Sequence, residues 1–435
     1  MKYYSTNRQA PPATLAEAVK KGLAPDKGLY MPECIGHLPE EFFRNIADMD
    51  FHEIATAVAE KFFGEDIPSD DLKRIVCDTL CFDTPVVNVH DNIWSLELFH
   101  GPTLAFKDVG GRFMARMLSY FIAREDNRKK VTVIVATSGD TGSAVANGFL
   151  GVDGIDVIVL YPEGKVSEIQ EKQFTTLGKN ITALEVAGNF DDCQRLVKSA
   201  FMDQDLNRML TLTSANSINV ARFLPQAFYY FNAYAQLKRA GKAGNVVFCV
   251  PSGNFGNIAA GLIAWRMGLP VRRFIAANNR NDVFLEYLRT GVYSPRASVQ
   301  TIANAMDVGD PSNFARVMDL YGNSAEAVRK DISGCRYTDE EIRNTIATVY
   351  GKYGYLLDPH GACGYQGLAD SIRDDENGIF LETAHPAKFK DTVEEIIRTE
   401  VDVPQRLRDF MAGEKKSIRI SGDFADFKEY LAGRA

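Results

Sequence analysis

The sequence predicts an α/β protein with two domains, each built on a mostly parallel β-sheet, behind a helical N-terminal segment. Two observations predict it. From about Pro85 onward, short strand-like runs alternate with helical patterns, as in βαβ units. These units also fall into two clusters, before and after roughly residue 235, with Ala240-Gly241-Lys242-Ala243-Gly244 the most linker-like stretch between them. The expected division is 1–84 for the helical segment, 85–235 for a smaller α/β domain and 236–435 for a larger one.

Each element follows from its own pattern. Leu15 to Gly22, Pro39 to Ile46, Phe51 to Phe63 and Ser69 to Leu80 carry apolar residues at helical spacing. Val131 to Ala136, Ile155 to Tyr161, Asn180 to Val186, Val246 to Val250, Arg273 to Ala277 and Gly378 to Leu381 read as strands. Among them, Asp191 to Met202, Pro225 to Arg239 and Ile258 to Met267 are amphipathic helical stretches. In open α/β sheets, ligands sit outside the carboxyl ends of the strands, so the loops leaving these runs are where chemistry is expected.

Composition narrows the function. A formal net charge of −8 without long single-sign runs argues against nucleic acid, whose backbone requires concentrated positive charge. No apolar stretch reaches the length of a membrane span, and the N-terminus lacks the apolar core of a secretory signal. The cysteines number seven, an odd count, and form no C-x-x-C pair. That disfavours a disulfide framework or a zinc site, points to a reducing cytoplasm, and leads us to expect no metal. Monomer and homodimer both stay open.

Two strand–loop–helix junctions are suited to anions. Pro251-Ser252-Gly253-Asn254-Phe255-Gly256-Asn257 leads from a strand into the helix from Ile258. Backbone N–H groups crowded by glycine and the positive end of a helix make a phosphate site, though the same string could be a plain capped turn. It lacks the lysine of a Walker A loop and the G-x-G-x-x-G spacing, which disfavours a nucleotide. Thr137-Ser138-Gly139-Asp140-Thr141-Gly142 repeats the logic with hydroxyls, before a helix expected over Ser143 to Leu150, and would suit a carboxylate. Asp140 is the awkward member, an acid at an anion site, expected to cap the helix or to face another part of the ligand.

Lys107 starts a helix after Pro102-Thr103-Leu104-Ala105-Phe106, where the helix dipole favours a neutral amine. That suits Schiff-base or proton-transfer chemistry, although exposed lysines are common. Thr383 ends the last strand, as a candidate ligand residue or a helix-entry cap. Asn216-Ser217-Ile218-Asn219-Val220-Ala221-Arg222 offers amides, a hydroxyl and a guanidinium suited to a phosphate, or else a capped helix start. Lys165 reads as a solvated lysine, and His100, His360 and His385 receive no role.

Taken jointly, these strings resemble the fold-type II pyridoxal-phosphate (PLP) enzymes of the tryptophan-synthase-β kind, and within them the threonine synthases. The resemblance runs through TLAEAVKKGLAPDKGLYMP (14–32), LFHGPTLAFKDVG (98–110), ATSGDTGSA (136–144), SANSINVAR (214–222), PSGNFGN (251–257), AMDVGDPSNF (305–314) and ETAHPAKF (382–389), in the family's order. It implies that Lys107 is the catalytic Schiff-base lysine. The PLP would be held also by Ser252, Gly253, Asn254, Phe255, Gly256 and Asn257 at its phosphate, by Thr383 at the ring nitrogen, and by Asp140. Some relatives carry Asn in place of Asp140. Ser138, Gly139 and Thr141 would hold the substrate carboxylate, and Asn216, Ser217, Asn219 and Arg222 its phosphate. The smaller domain would then carry the lysine and substrate loops, and the larger one the PLP phosphate loop. The implied activity is conversion of O-phospho-L-homoserine and water to L-threonine and phosphate. Another fold-type II lyase, such as a phospho-lyase or threonine dehydratase, or a silent PLP-binding protein, is the alternative.

Overall fold

Val131–Ala136 and Val246–Pro251 are buried along their whole lengths, because each lies inside a sheet covered on both faces. Alternation every second residue decides which core each side chain joins. Val133 and Val135 join the large core that also holds Val109, Phe113 and Met117, whereas Ile134 and Ala136 join a second one with Leu196, Phe427 and Leu431. Phe248 and Val250 enter that same large core, and Val247 and Cys249 face a third one with Ile342, Ile346 and Leu368. One apolar layer is thus shared between the two sheets.

The computed structural model describes residues 1–125 and 130–434. Its five-stranded sheet is parallel throughout, in the order Ile418–Ile420, Ile181–Val186, Ile155–Pro162, Val131–Ala136, Thr211–Ser214. The six-stranded sheet runs Ile332–Arg336, Val271–Asn278, Val246–Pro251, Asn377–Glu382, Ile93–Glu97, Val86–His90. All its pairs are parallel except the hairpin of the last two. The α/β class with two mostly parallel sheets is therefore as the sequence predicts.

The sheets do not follow the chain in blocks, however. Val86–His90 and Ile93–Glu97 lie in the six-stranded sheet, and Ile418–Ile420 returns to the five-stranded one. A cut near residue 235 therefore divides neither sheet cleanly, since sheet membership depends on which edge a segment can reach. Short strands also escaped the sequence reading, among them Thr211–Ser214 and Ile332–Arg336, which carry too few β-branched residues in a row.

The N-terminal segment holds the four expected helices, Leu15–Lys21, Glu40–Asn45, Phe51–Phe63 and Ser69–Thr79. Two of them begin with reciprocal capping boxes, Thr14 with Glu17 and Asp50 with Glu53. It also contains a small antiparallel ribbon, Tyr3–Ser5 with Tyr30–Pro32, which the helical expectation had not included.

Candidate active site

Five loops leave the carboxyl ends of parallel strands: those after Ile93–Glu97, Val131–Ala136, Thr211–Ser214, Val246–Pro251 and Asn377–Glu382. They carry Lys107, Asp140, Ser217, Asn254 and Thr383 respectively. The starts of three helices, Lys107–Ile122, Asp140–Phe149 and Val220–Phe223, meet because two glycines allow backbone contact. A Cβ on Gly111 would lie 2.6 Å from Ala144 O, and one on Gly110 would lie 2.6 Å from Arg222 O.

The Lys107 strap is clamped from several sides. Phe106 N donates to Thr383 O at 2.9 Å, and His385 N donates to Leu104 O at 3.0 Å. Tyr229 Oη donates to Phe106 O at 2.5 Å. Asp108, almost wholly buried, accepts from Thr103 N at 2.9 Å and from Thr103 Oγ1 at 2.6 Å. Lys107 follows at the first helical position, where Phe106 supplies no side-chain cap. Burial pulls its amine down to about 8, helped by Arg222 and Lys388 and opposed by Asp140. Part of the residue remains accessible, while the amine itself is enclosed.

Asp140 is not the cap of its helix, as one sequence expectation had it; Gly139 holds that position. Its carboxylate instead lies 2.6 Å from Lys388 Nζ and accepts from Gln170 Nε2 at 2.8 Å. Burial alone would raise its pKa, but Lys388 first and Lys107 next pull it well below the usual carboxylate range. Lys388 Nζ also donates to Thr103 O at 2.9 Å, which ties the Asp140 helix to the Lys107 strap. The neighbouring loop is held by Thr137, whose Oγ1 accepts from Gly139 N at 2.9 Å and Gly142 N at 2.8 Å. Ser138 and Thr141 remain partly accessible and make no side-chain hydrogen bond to the described residues.

The turn at 252–257 opens the helix Gly256–Arg266 with Phe255 in the left-handed region (φ 63°) and with no side-chain cap. Asn257 Oδ1 accepts from Ile258 N at 2.9 Å, and the N–H groups before it at this helix start, which the cap residue leaves unpaired, are donors for an anion. Ser252 and Asn257 serve the turn itself: Ser252 Oγ donates to Val250 O at 2.8 Å, and Asn257 Nδ2 donates to Pro251 O at 2.7 Å. Asn254 reaches across to Ser217, donating from Nδ2 to Oγ at 2.8 Å. Arg222 is buried to 2% exposure; it donates to Ala215 O, and its Nε has no partner. Burial lowers its pKa to about 10, so it remains a cation. A buried guanidinium with an unpaired N–H beside an enclosed amine, on a turn whose Ser217 meets the start of Gly256–Arg266, is a donor set that fits a phosphorylated anionic ligand.

Most of the predicted residues do converge. Lys107, Asp140 and Arg222 share one electrostatic environment, Thr383 pairs with the strap bearing Lys107, and Asn254 with Gly256 meets Ser217. Asn216 sits on the same turn, with its Oδ1 unpartnered. Asn219 departs from the expectation: fully buried, it caps Ala221 N and donates to Val19 O at 2.8 Å, so its amide is spent on structure. Lys165 is exposed. His360 and His385 hold backbone, His360 accepting from Ala305 N of a distant segment at 3.1 Å and His385 accepting locally from Ala387 N at 3.1 Å. Among the described residues, no group of three or more His, Cys, Asp or Glu could hold a metal ion, and no helix is long and apolar enough to cross a membrane. Sequence reading missed Thr137, Gln170, Asn313, Arg316 and Lys388. Lys388 lies within the ETAHPAKF string, but nothing local distinguishes it from a surface lysine.

The chain matches three family models: "Threonine synthase N terminus" over residues 2–80, "Pyridoxal-phosphate dependent enzyme" over 79–381, and "Threonine synthase, C-terminal" over 361–431. It is 43% identical to the threonine synthase of Haemophilus influenzae over 431 residues, covering 99% of both chains. Among solved structures it is similar to threonine synthase from Escherichia coli, with a TM-score of 0.93, 41% identity and 100% of both chains covered. It is also similar to PLP-bound threonine synthase from Brucella melitensis, with a TM-score of 0.92, 38% identity, and 100% and 99% coverage. Maize serine racemase, at 16% identity and TM-score 0.54 over 72% of this chain, shares the fold alone.

Proposed function

The chain belongs to the threonine synthase family of pyridoxal-phosphate-dependent enzymes, and on that premise we propose that it makes L-threonine and phosphate from O-phospho-L-homoserine and water. The observation that carries this reading is Lys107, an enclosed amine with its pKa drawn down to about 8 beside a buried cation with an unpaired donor, Arg222.

Pyridoxal phosphate supplies the electron sink that makes protons at the carbons of a bound amino acid labile. Lys107 would hold it through the amine, the Ser252-Gly253-Asn254-Phe255-Gly256-Asn257 turn would take its phosphate, and Thr383 would meet its ring nitrogen. The uncapped start of Gly256–Arg266 supports that assignment. Ser138, Gly139 and Thr141 would receive the substrate carboxylate, and Ser217 and Arg222 its phosphate, with Asn216 beside them. Asp140, neutralised by Lys388, would set the field at the lysine.

Lys107 then works as the proton carrier. Its amine would remove the proton at Cα and then one at Cβ, passing the first on to solvent, as phosphate departs from Cγ with the bonding electron pair. A proton returns at Cγ, water adds its hydroxyl at Cβ and gives its remaining proton to the phosphate, and a proton returned at Cα completes threonine. An amine titrating near 8 can both take and return protons close to neutral pH. The free thiols among the described residues support a reducing, cytoplasmic setting.

Purified protein given pyridoxal phosphate and O-phospho-L-homoserine should release threonine and inorganic phosphate in equal amounts. Release of 2-oxobutyrate in place of threonine would make it an eliminating lyase, and no turnover at all would refute the enzymatic reading.

A further inference from the structure

Ser217 stands where the two anion turns meet. Its Oγ accepts from Asn254 Nδ2 at 2.8 Å and from Asn313 Nδ2 at 3.2 Å. Both amides are fixed in orientation by their other ends. Asn254 Oδ1 accepts from Ser312 N at 2.6 Å, and Asn313 Oδ1 accepts from Arg316 Nη1 at 2.6 Å, so each must present its NH2 to Ser217. A hydroxyl has two lone pairs and one proton. With both lone pairs occupied, only the proton is left, and no described residue accepts it.

The place this proton can serve is also defined. A Cβ built on Gly256 would lie 3.6 Å from Ser217 Cβ, so the hydroxyl stands beside the uncapped start of Gly256–Arg266. The same turn leads into Arg222, whose buried Nε is unpartnered.

Arg316 fixes the backbone of this turn. Nη1 donates to Ser217 O at 3.0 Å, and Nη2 donates to Ile218 O at 2.7 Å and Tyr30 O at 3.1 Å. The guanidinium lies 4.2 Å from the centre of the Phe223 ring, and the residue is wholly buried. No carboxylate of a described residue pairs with it. Burying a cation is costly, and although Nε has no partner, the bonds from Nη1 and Nη2 offset part of that cost, so the carbonyls they bind are held in place.

We propose that Asn313 and Arg316 are positioning residues that turn the Ser217 hydroxyl outward as a donor to a phosphate monoester dianion. The proposal rests on the functional reading above, which supplies two such groups, the coenzyme's phosphate and the substrate's.

Asn313→Asp tests it. The substitution keeps the size and the Arg316 contact but replaces the amide donor with an acceptor, toward which Ser217 turns its proton. The added charge alone would also repel an anion, so the same substitution is made in a Ser217→Ala background. Pyridoxal phosphate affinity is measured by absorbance titration of the coenzyme-free protein, and KM and kcat are measured for O-phospho-L-homoserine. Losing a hydrogen bond to a charged group should weaken one of these bindings roughly tenfold or more. That loss should shrink to about twofold or less, on the same hydrogen-bond argument, when Ser217 has no hydroxyl. A rise in the coenzyme's Kd assigns the hydroxyl to the coenzyme's phosphate, and a rise in KM alone assigns it to the substrate's. Equal losses in both backgrounds, a loss confined to kcat, or no loss would overturn the proposal. If the unsubstituted protein binds coenzyme yet makes no threonine, the functional reading fails while the titration still decides the role of Asn313.

Discussion

Lys388→Met should destabilise the coenzyme-free protein by about 3 kcal/mol, the lower end of what breaking a buried ion pair costs. The lysine Nζ is 2.6 Å from Asp140 Oδ1, with the two side chains 0% and 4% exposed, so solvent cannot replace the lost partner. Methionine fills the space of the lysine stem but leaves the carboxylate with only Gln170 and the field of Lys107. Those two partners place the estimate at the low end. Adding Asp140→Asn removes the stranded charge, and the double variant should be more stable than Lys388→Met alone. Urea unfolding at pH 7 measures this. Asp140 titrates below the unfolded value of about 3.9, so the pair's contribution is complete at that pH and is lost only as pH falls through the acid range. A second readout concerns the amine. Lys388 lowers the Lys107 pKa while Asp140 raises it, so without Lys388 the midpoint for coenzyme capture should move above about 8. A Lys388→Met protein within about 1 kcal/mol of the parent, well short of the usual cost of a broken buried pair, and with an unmoved midpoint, would refute this account.

Coenzyme capture by the unsubstituted protein should itself accelerate as pH rises through about 8, since only the neutral amine reacts; stopped-flow absorbance across pH 6.5 to 9.5 checks this. Folding stability should also rise with pH between about 8 and the unfolded lysine value of about 10.4, because there the unfolded chain binds the extra proton. Lys107→Met should remove that rise in chemical denaturation. Thr137→Val strands two buried N–H groups, at Gly139 and Gly142, and should cost about 1–3 kcal/mol and raise KM. Gly253→Ala places a methyl 2.7 Å from Met306 Cα and 2.8 Å from Ala305 O, backbone that cannot move cheaply, and should weaken coenzyme binding. Gly244→Ala, with nothing within 4 Å, should leave binding unchanged in the same titration.

Much of the site was legible because its signals are local. A strand followed by Ser252-Gly253-Asn254-Phe255-Gly256-Asn257 and a helix announces N–H donors wherever the chain runs, and the structure has an uncapped helix start there. Lys107 at the first position of a helix could be read the same way. Asn219 shows where local reading fails. Its amide looked free for a ligand but is committed to Val19 O, in a segment that only folding brings near.

The order of strands, loops and helices, the apolar periodicity and the placement of the lysine and glycine turns were determined by the sequence alone, since each depends on neighbours within a few residues. Tertiary structure decided which sheet takes Ile93–Glu97 and Ile418–Ile420, which carboxylate meets Lys388, and which amides leave Ser217 only its proton to give. The physical reason is that hydrogen bonds and ion pairs gain their worth from burial, and burial is a property of the packed chain that no local pattern of residues contains.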